Sequence, residues 1–355
     1  MSESGPSVRR SAETDRAGAR PTDARAALLP QRSACAPTLD PVRQIADAVL
    51  YEGYILWPYS RSALKNRQRW TFGGVYPRGH SEGRDDDPWV MRAECLLRNG
   101  DPARLEVSVR FLHVVRRQLL RRGAPVDELT VDGERHLSWE EAIERELEVP
   151  PGARTAIDFP AGSEEEALGD EGAVERSWRA LGGHVDVRAE RIGDSLQRVT
   201  VEVANTSPWP GGTREDAQER TFCSTHAVLR TPDGEFVSLT DPPEELSEEA
   251  AACRNEGVWP VLVGEPDERQ TLLASPIILE DHPRIAPESP GDLFDGGEID
   301  QMLVLNILSL TDEEKAEMRA SDPKAREILD RTEALSEEEM MSLHGAVRDL
   351  RQVRP

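Results

Sequence analysis

From about residue 90 to 280 the apolar and polar positions run in short segments with a period of two. Residues 90–97 and 105–115 alternate or run apolar, and Asn99-Gly100-Asp101-Pro102 between them is a strong turn signal. Residues 129–131 and 136–137 flank Asp132-Gly133, which predicts a hairpin. Further strands are expected at 155–159, 184–192, 197–205, 221–230, 235–239, 258–263 and 271–279, with Asp233-Gly234 as a second hairpin turn. Ser138-Trp139-Glu140-Glu141 fits a capping box, so a short helix is expected from 139 to about 147. Strand follows strand with few helices between, so the expected fold is α+β around a mainly antiparallel, sandwich-like sheet.

Helical spacing marks the two ends of this body. Asp40-Pro41 suits an N-cap and first helical position, Val42, Ile45, Ala46, Val49 and Leu50 share one face, and Gly53 can stop the helix. Beyond 285 the apolar positions of 299–310 return to helical spacing. Thr311-Asp-Glu-Glu314, Ser321-Asp322-Pro323 and Ser336-Glu-Glu-Glu339 read as three capped helix starts. The expected organisation is a disordered arm over 1–38, rich in Ser, Ala, Arg and Pro, a β-rich body over 39–284, and an acidic helical segment over 285–355.

Charge narrows the choice of partners. The 355 residues carry a net charge of −24, unevenly spread: residues 1–125 hold 21 basic and 14 acidic side chains, and 126–355 hold 22 and 53. That balance argues against nucleic acid and anionic membranes as partners. No run approaches the ~20 apolar residues of a spanning helix, and the basic N-terminus lacks the apolar stretch of a secretory signal. The cysteines Cys35, Cys95, Cys223 and Cys253 are widely spaced and form no disulfide framework, which points to the cytoplasm of a bacterium.

Candidate chemistry is sparse. Gly193-Asp194-Ser195-Leu196 spells the string of a lipase and esterase family, but it lies mid-chain between two strands, where Gly-Asp-Ser is ordinary turn chemistry. Cys223 and His226 are weak metal candidates, since residues three apart on a strand face opposite ways unless a bulge intervenes. Asp85-Asp86-Asp87 and the acids at 292, 295, 298 and 300 read as solvated loop and helix-start carboxylates. No dinucleotide or P-loop string is present, so no cofactor is expected. The segment 51–76 stands out by interleaving Tyr51, Tyr54, Trp57, Tyr59, Trp70, Phe72 and Tyr76 with Arg61, Lys65, Arg67 and Arg69. Such a mixture is either core with a solvated basic face or an interface hot spot, where Trp, Tyr and Arg are enriched. Read as an interface, its contact residues are Trp57, Tyr59, Arg61, Lys65, Arg67, Arg69 and Trp70; the loop 287–294, with Phe294 as anchor, is a second candidate surface.

Two stretches carry a resemblance: ADAVLYEGYILWPYSRSALKNRQRWTFGGVYP at 46–77, and SPIILEDHPRIAPESPGDLFDGGEIDQMLVLNILSLTDEEKAEMRASDPKAREILDR at 275–331. Together they resemble an uncharacterised family of bacterial proteins encoded in the gene clusters of actinobacterial-type NiFe hydrogenases, over most of residues 40–335. The resemblance implies an accessory protein that helps make, assemble or scaffold the hydrogenase through contact with its subunits or maturation proteins, and it carries no catalytic motif. Two alternatives remain: a hydrolase using Ser195 or a metal enzyme using Cys223 and His226, and a structural subunit of a larger complex.

Overall fold

The computed structural model describes residues 41–56, 59, 63, 66, 69–70, 72–284 and 300–336. The described residues fall within one compact unit of the chain. Two antiparallel sheets make the body. The first runs β13 (Glu235–Val237), β1 (Val90–Arg98), β11 (Leu196–Asn205), β10 (Leu181–Arg191), β7 (Arg154–Phe159). The second runs β14 (Trp259–Leu262), β15 (Thr271–Ser275), β12 (Cys223–Arg230), β2 (Glu106–Arg121), β9 (Gly172–Trp178), β8 (Gly162–Leu168). The long β2 serves both of its sides twice. It pairs with β12 and then β9 along one edge. Along the other it pairs with β6 (Trp139–Glu148) and then β3 (Ala124–Val126). The small ribbon β4 (Glu128–Val131) and β5 (Glu134–Leu137) is the hairpin expected at Asp132-Gly133.

The period of two explains the core. Met91, Ala93, Cys95 and Leu97 of β1 and Val199, Val201 and Val203 of β11 face Val107, Val109 and Phe111 of β2 and Ala227 and Leu229 of β12, and all are buried. This is the interior between two stacked sheets. The opposite face of the second sheet is also apolar, with Leu112, Val114, Val228 and Leu273 buried. Helices cover it. The helix α1 (Pro41–Tyr51) lays Val42, Ile45, Ala46 and Val49 on Val228 and Leu273. Short helices α2 (Arg78–Ser81), α3 (Arg214–Gln218) and α4 (Ser247–Ala251) sit in connections, and Ala250 of α4 packs on the outer face of the first sheet with Leu96, Leu196 and Val237. Leu303 and Ile307 of α5 (Asp300–Leu308), Met318 of α6 (Asp312–Ser321), and Ile328 and Leu329 of α7 (Pro323–Glu333) share a core with Leu112, Val114 and Trp139. The expected boundary at 285 is therefore not a structural one: these helices are the third layer of the body. Thr311 and Glu314 form the expected capping box, and Asp322 caps α7 with Pro323 at its first position. The helix start expected at Ser336 lies outside the described residues.

One expected element is of the wrong type. Residues 139–148 form strand β6, not a helix. Ser138 does not cap; its hydroxyl donates to Val126 O at 2.8 Å and accepts from Leu119 N–H at 3.1 Å. The glutamates that mimic a helical first turn are strand residues with partners on both faces. Glu140 accepts from Trp70 Nε1, Glu144 from the Tyr51 hydroxyl and Glu146 from Arg43. Glu141 faces the other way, toward Arg117 and Arg176.

Candidate functional site

Tyr51, Tyr54, Tyr59, Arg69, Trp70 and Tyr76 of the aromatic–basic segment are buried, and Phe72 is half-buried. The Arg69 guanidinium carbon lies 4.8, 4.5 and 4.3 Å from the ring centres of Tyr54, Trp70 and Trp139. Its Nε donates to Tyr54 O at 2.7 Å and Nη1 to Glu140 O at 2.9 Å, while Nη2 has no hydrogen-bond acceptor and is held by ring faces instead. Beside this box lies the buried Asp322 carboxylate. It accepts from the Tyr54 hydroxyl at 2.7 Å, Trp139 Nε1 at 3.1 Å and Lys324 N–H at 2.7 Å. Burial pushes the Asp322 carboxyl above its ordinary range, and the nearby Arg69 charge opposes that rise. Trp70 carries a left-handed φ of 63°, a costly state for a bulky residue, which the locked ring sustains. Tyr59, Arg69 and Trp70 are 0, 4 and 3 % exposed, so they cannot form the expected contact surface; Tyr59 and Trp70 share a core with Trp139 of β6 and Ile328 and Leu329 of α7, and Arg69 packs on Trp139. Trp57, Arg61, Lys65, Arg67, Phe294 and the loop 287–294 lie outside the described residues.

The other candidates fall apart on geometry. Ser195 is an exposed residue of the β10–β11 turn; its carbonyl accepts from Asn99 N–H and its hydroxyl makes no hydrogen bond. A bulge separates Cys223 from His226, with Ser224 at φ 50°. Both side chains are fully buried. Burial pushes the Cys223 thiol up and the His226 ring down to about 3, with His226 Nδ1 donating to Ser224 O at 2.9 Å. An enclosed, un-ionised thiol is a poor ligand, and one imidazole beside it does not make a site. Among the described residues no group of three or more His, Cys, Asp or Glu is placed to hold a metal ion.

A surface recess of about 290 Å³ is the better candidate. One wall is the backbone of 72–76. Val75 and Phe222 exchange two hydrogen bonds, and Thr225 N–H donates to Gly73 O, Ser224 N–H to Phe72 O. Strand alternation turns the N–H and C=O of Gly74 away from Phe222, and neither makes a hydrogen bond. Gly73 is required here: at φ 53°, a Cβ would lie 2.5 Å from Pro276 Cβ. Gly257, Trp259 and Pro276 also line the recess; Trp259 is 45 % exposed, and Ile278, two residues past Pro276, is 75 % exposed.

A polar group of the exposed Arg214 with the buried Tyr76, His80 and Asp87 lies beside the recess. Arg214 donates from Nε and Nη2 to both Asp87 oxygens at 2.9–3.1 Å and from Nη2 to the Tyr76 hydroxyl at 2.5 Å. His80 Nε2 lies 2.9 Å from Asp87 Oδ2, and its ring stacks on Tyr76 and meets Trp209 edge-on. Burial alone would raise the Asp87 carboxyl, but the Arg214 and His80 hydrogen bonds outweigh it and hold it below the usual range. The expectation that 85–87 are solvated acids therefore holds for Asp85 and Asp86, which are exposed, and fails for Asp87. Sequence reading missed His80, Asp87, Arg214 and Trp259 as a group, because Arg214 reaches Asp87 only through the fold. A larger cleft of about 470 Å³ between β5, β6 and α7 is lined mostly by ion pairs such as Arg176–Glu141 and Arg326–Glu134, which satisfy one another.

No protein-family model matches the chain, and no curated protein does. Among the described residues no helix is long and apolar enough to cross a membrane.

Proposed function

We propose that the chain is an accessory protein for the assembly or maturation of a NiFe hydrogenase, acting in the cytoplasm by contact with hydrogenase subunits or maturation proteins. One observation carries this reading: the two stretches that resemble the hydrogenase-cluster family both contribute to the lining of the recess. The first supplies Phe72, Gly73, Gly74, Val75 and Tyr76, and the second supplies Pro276, with Ile278 beside it. The same two stretches also meet inside the body, through Tyr54 and Asp322. A recess walled by backbone and rimmed by an exposed Trp has the make-up of a contact site, since half-buried aromatics supply large contact area at low entropic cost.

The test is a tagged copy expressed in its native host while hydrogenase is being made, followed by mass spectrometry of the co-purifying proteins. Hydrogenase subunits or their maturation proteins should be recovered, with precursor large subunit in excess over the mature form. Stoichiometric retention in mature enzyme would instead favour a structural subunit. Recovery of the chain without companions would contradict both.

A further inference from the structure

We propose that the recess accepts an extended strand of the partner protein that presents a lysine or arginine side chain. This rests on the reading of the chain as a protein-contact module and names the chemistry of that contact.

The argument begins with the backbone. Gly74 offers an unpaired N–H and C=O in a segment whose neighbours Gly73 and Val75 are paired to 222–225. A free donor and acceptor on one residue is what an added antiparallel strand needs for one narrow pair of hydrogen bonds. A Cβ at Gly74 would lie 2.9 Å from the Tyr76 ring, so glycine here is what lets this backbone lie against that ring. A volume of about 290 Å³ admits one or two side chains but no helix, whose diameter is about 10–12 Å.

Charge selects the side chain. The guanidinium of Arg214 is already matched by Asp87 in a bidentate pair, so it has little charge left to offer an anion. Asp86 also lines the recess, is exposed, and has no ion-pair or hydrogen-bond partner. An acidic ligand would meet Asp86 as a like charge; a basic one meets Asp86 as a counter-ion and the Trp259 face as a cation–π partner. At long range the chain's net charge of −24 favours the same sign.

The experiment uses the purified full chain and fluorescein-labelled, acetylated and amidated pentapeptide libraries, read by anisotropy. The central residue is fixed as Lys, Arg or the uncharged norleucine, and the other four are randomised. The Lys and Arg libraries should bind about tenfold more tightly than norleucine. Asp86→Asn and Trp259→Ala change exposed side chains, so both variants should melt like the parent, and each should remove most of that preference. Methylating the peptide amides should weaken every library. Equal binding of Lys and norleucine, no binding at millimolar peptide, or a preference that survives both substitutions would overturn the proposal. Hydrogenase co-purification without this preference would retire the inference alone; the preference without co-purification would retire the hydrogenase reading alone.

Discussion

Arg69 and Asp322 show how a charged side chain can be a core residue. Three aromatic rings cover the guanidinium, and three donors satisfy the carboxylate, so neither charge is left bare. Breaking such a set by removing one member costs more than the set itself contributes, because the remaining groups stay buried. Asp322→Ala should therefore destabilise the chain by about 3–5 kcal/mol in urea unfolding, and Asp322→Asn, which keeps an acceptor, by less. His226 gives a second prediction at this scale. Burial holds its folded pKa at about 3, and His113 is held at about 4 by burial and by Arg145. Unfolded, both protonate near 6.5. Between these values the unfolded chain binds more protons, so stability that is complete above pH 6.5 falls as pH drops. For His226 alone the loss is roughly 3 kcal/mol by pH 4. A plot of unfolding free energy from pH 7 to 4.5 should slope downward toward acid, and His226→Gln should flatten it. The aromatic–basic pattern of 51–76 was visible in the sequence, but which of its residues are interior was not. The deciding partners, Trp139 and Asp322, sit on elements far along the chain.

At the scale of elements, local signals were legible where they name their own partner. The hairpin turn at Asp132-Gly133 and the caps at Thr311 and Asp322 all stand where their residues predict. The error at β6 has the opposite cause. Ser138 and Glu141 carry the same letters as a capping box, and only the cations and hydroxyls of β2, β9 and α1 turn those glutamates into strand residues. Strand β8 gave no signal because its run Gly-Ser-Glu-Glu-Glu-Ala-Leu is polar on both faces. The helical layer offers a direct contrast. Ile328 and Leu329 of α7 are buried and Leu305 of α5 is 44 % exposed. Ile328→Ala or Leu329→Ala should each cost about 2–4 kcal/mol, and Leu305→Ala under about 1. Equal effects in thermal melts would mean that α7 is not seated on the sheet as described.

For the molecule as a whole, three layers follow from one feature: both faces of the second sheet are apolar, so one is covered by the first sheet and the other by helices. The class of fold was legible from strand spacing and turn residues. The recess was not, because its lining comes from 72–76, from Asp86, Pro88, Val90 and Met91, and from Arg214, Gly257, Trp259 and Pro276, which only the fold brings together. The excess of acid over the body gives the proposed contact a salt dependence, since exposed charges are screened within about 8 Å at physiological ionic strength. Binding to a basic partner strand should weaken steadily between 50 and 500 mM salt, on the order of tenfold or less for a single charge pair; a salt-independent affinity would point to a purely apolar contact at Trp259 and Ile278.

The claim that the chain works by contact with hydrogenase proteins can be tested with purified components. The chain and the hydrogenase large-subunit precursor from the same host would be mixed and passed through size-exclusion chromatography with light scattering. A peak at the summed mass is expected, lost when Trp259→Ala replaces the parent chain. Two separate peaks at their own masses, at micromolar concentrations and low salt, with the mature large subunit and the maturation proteins behaving the same way, would contradict it.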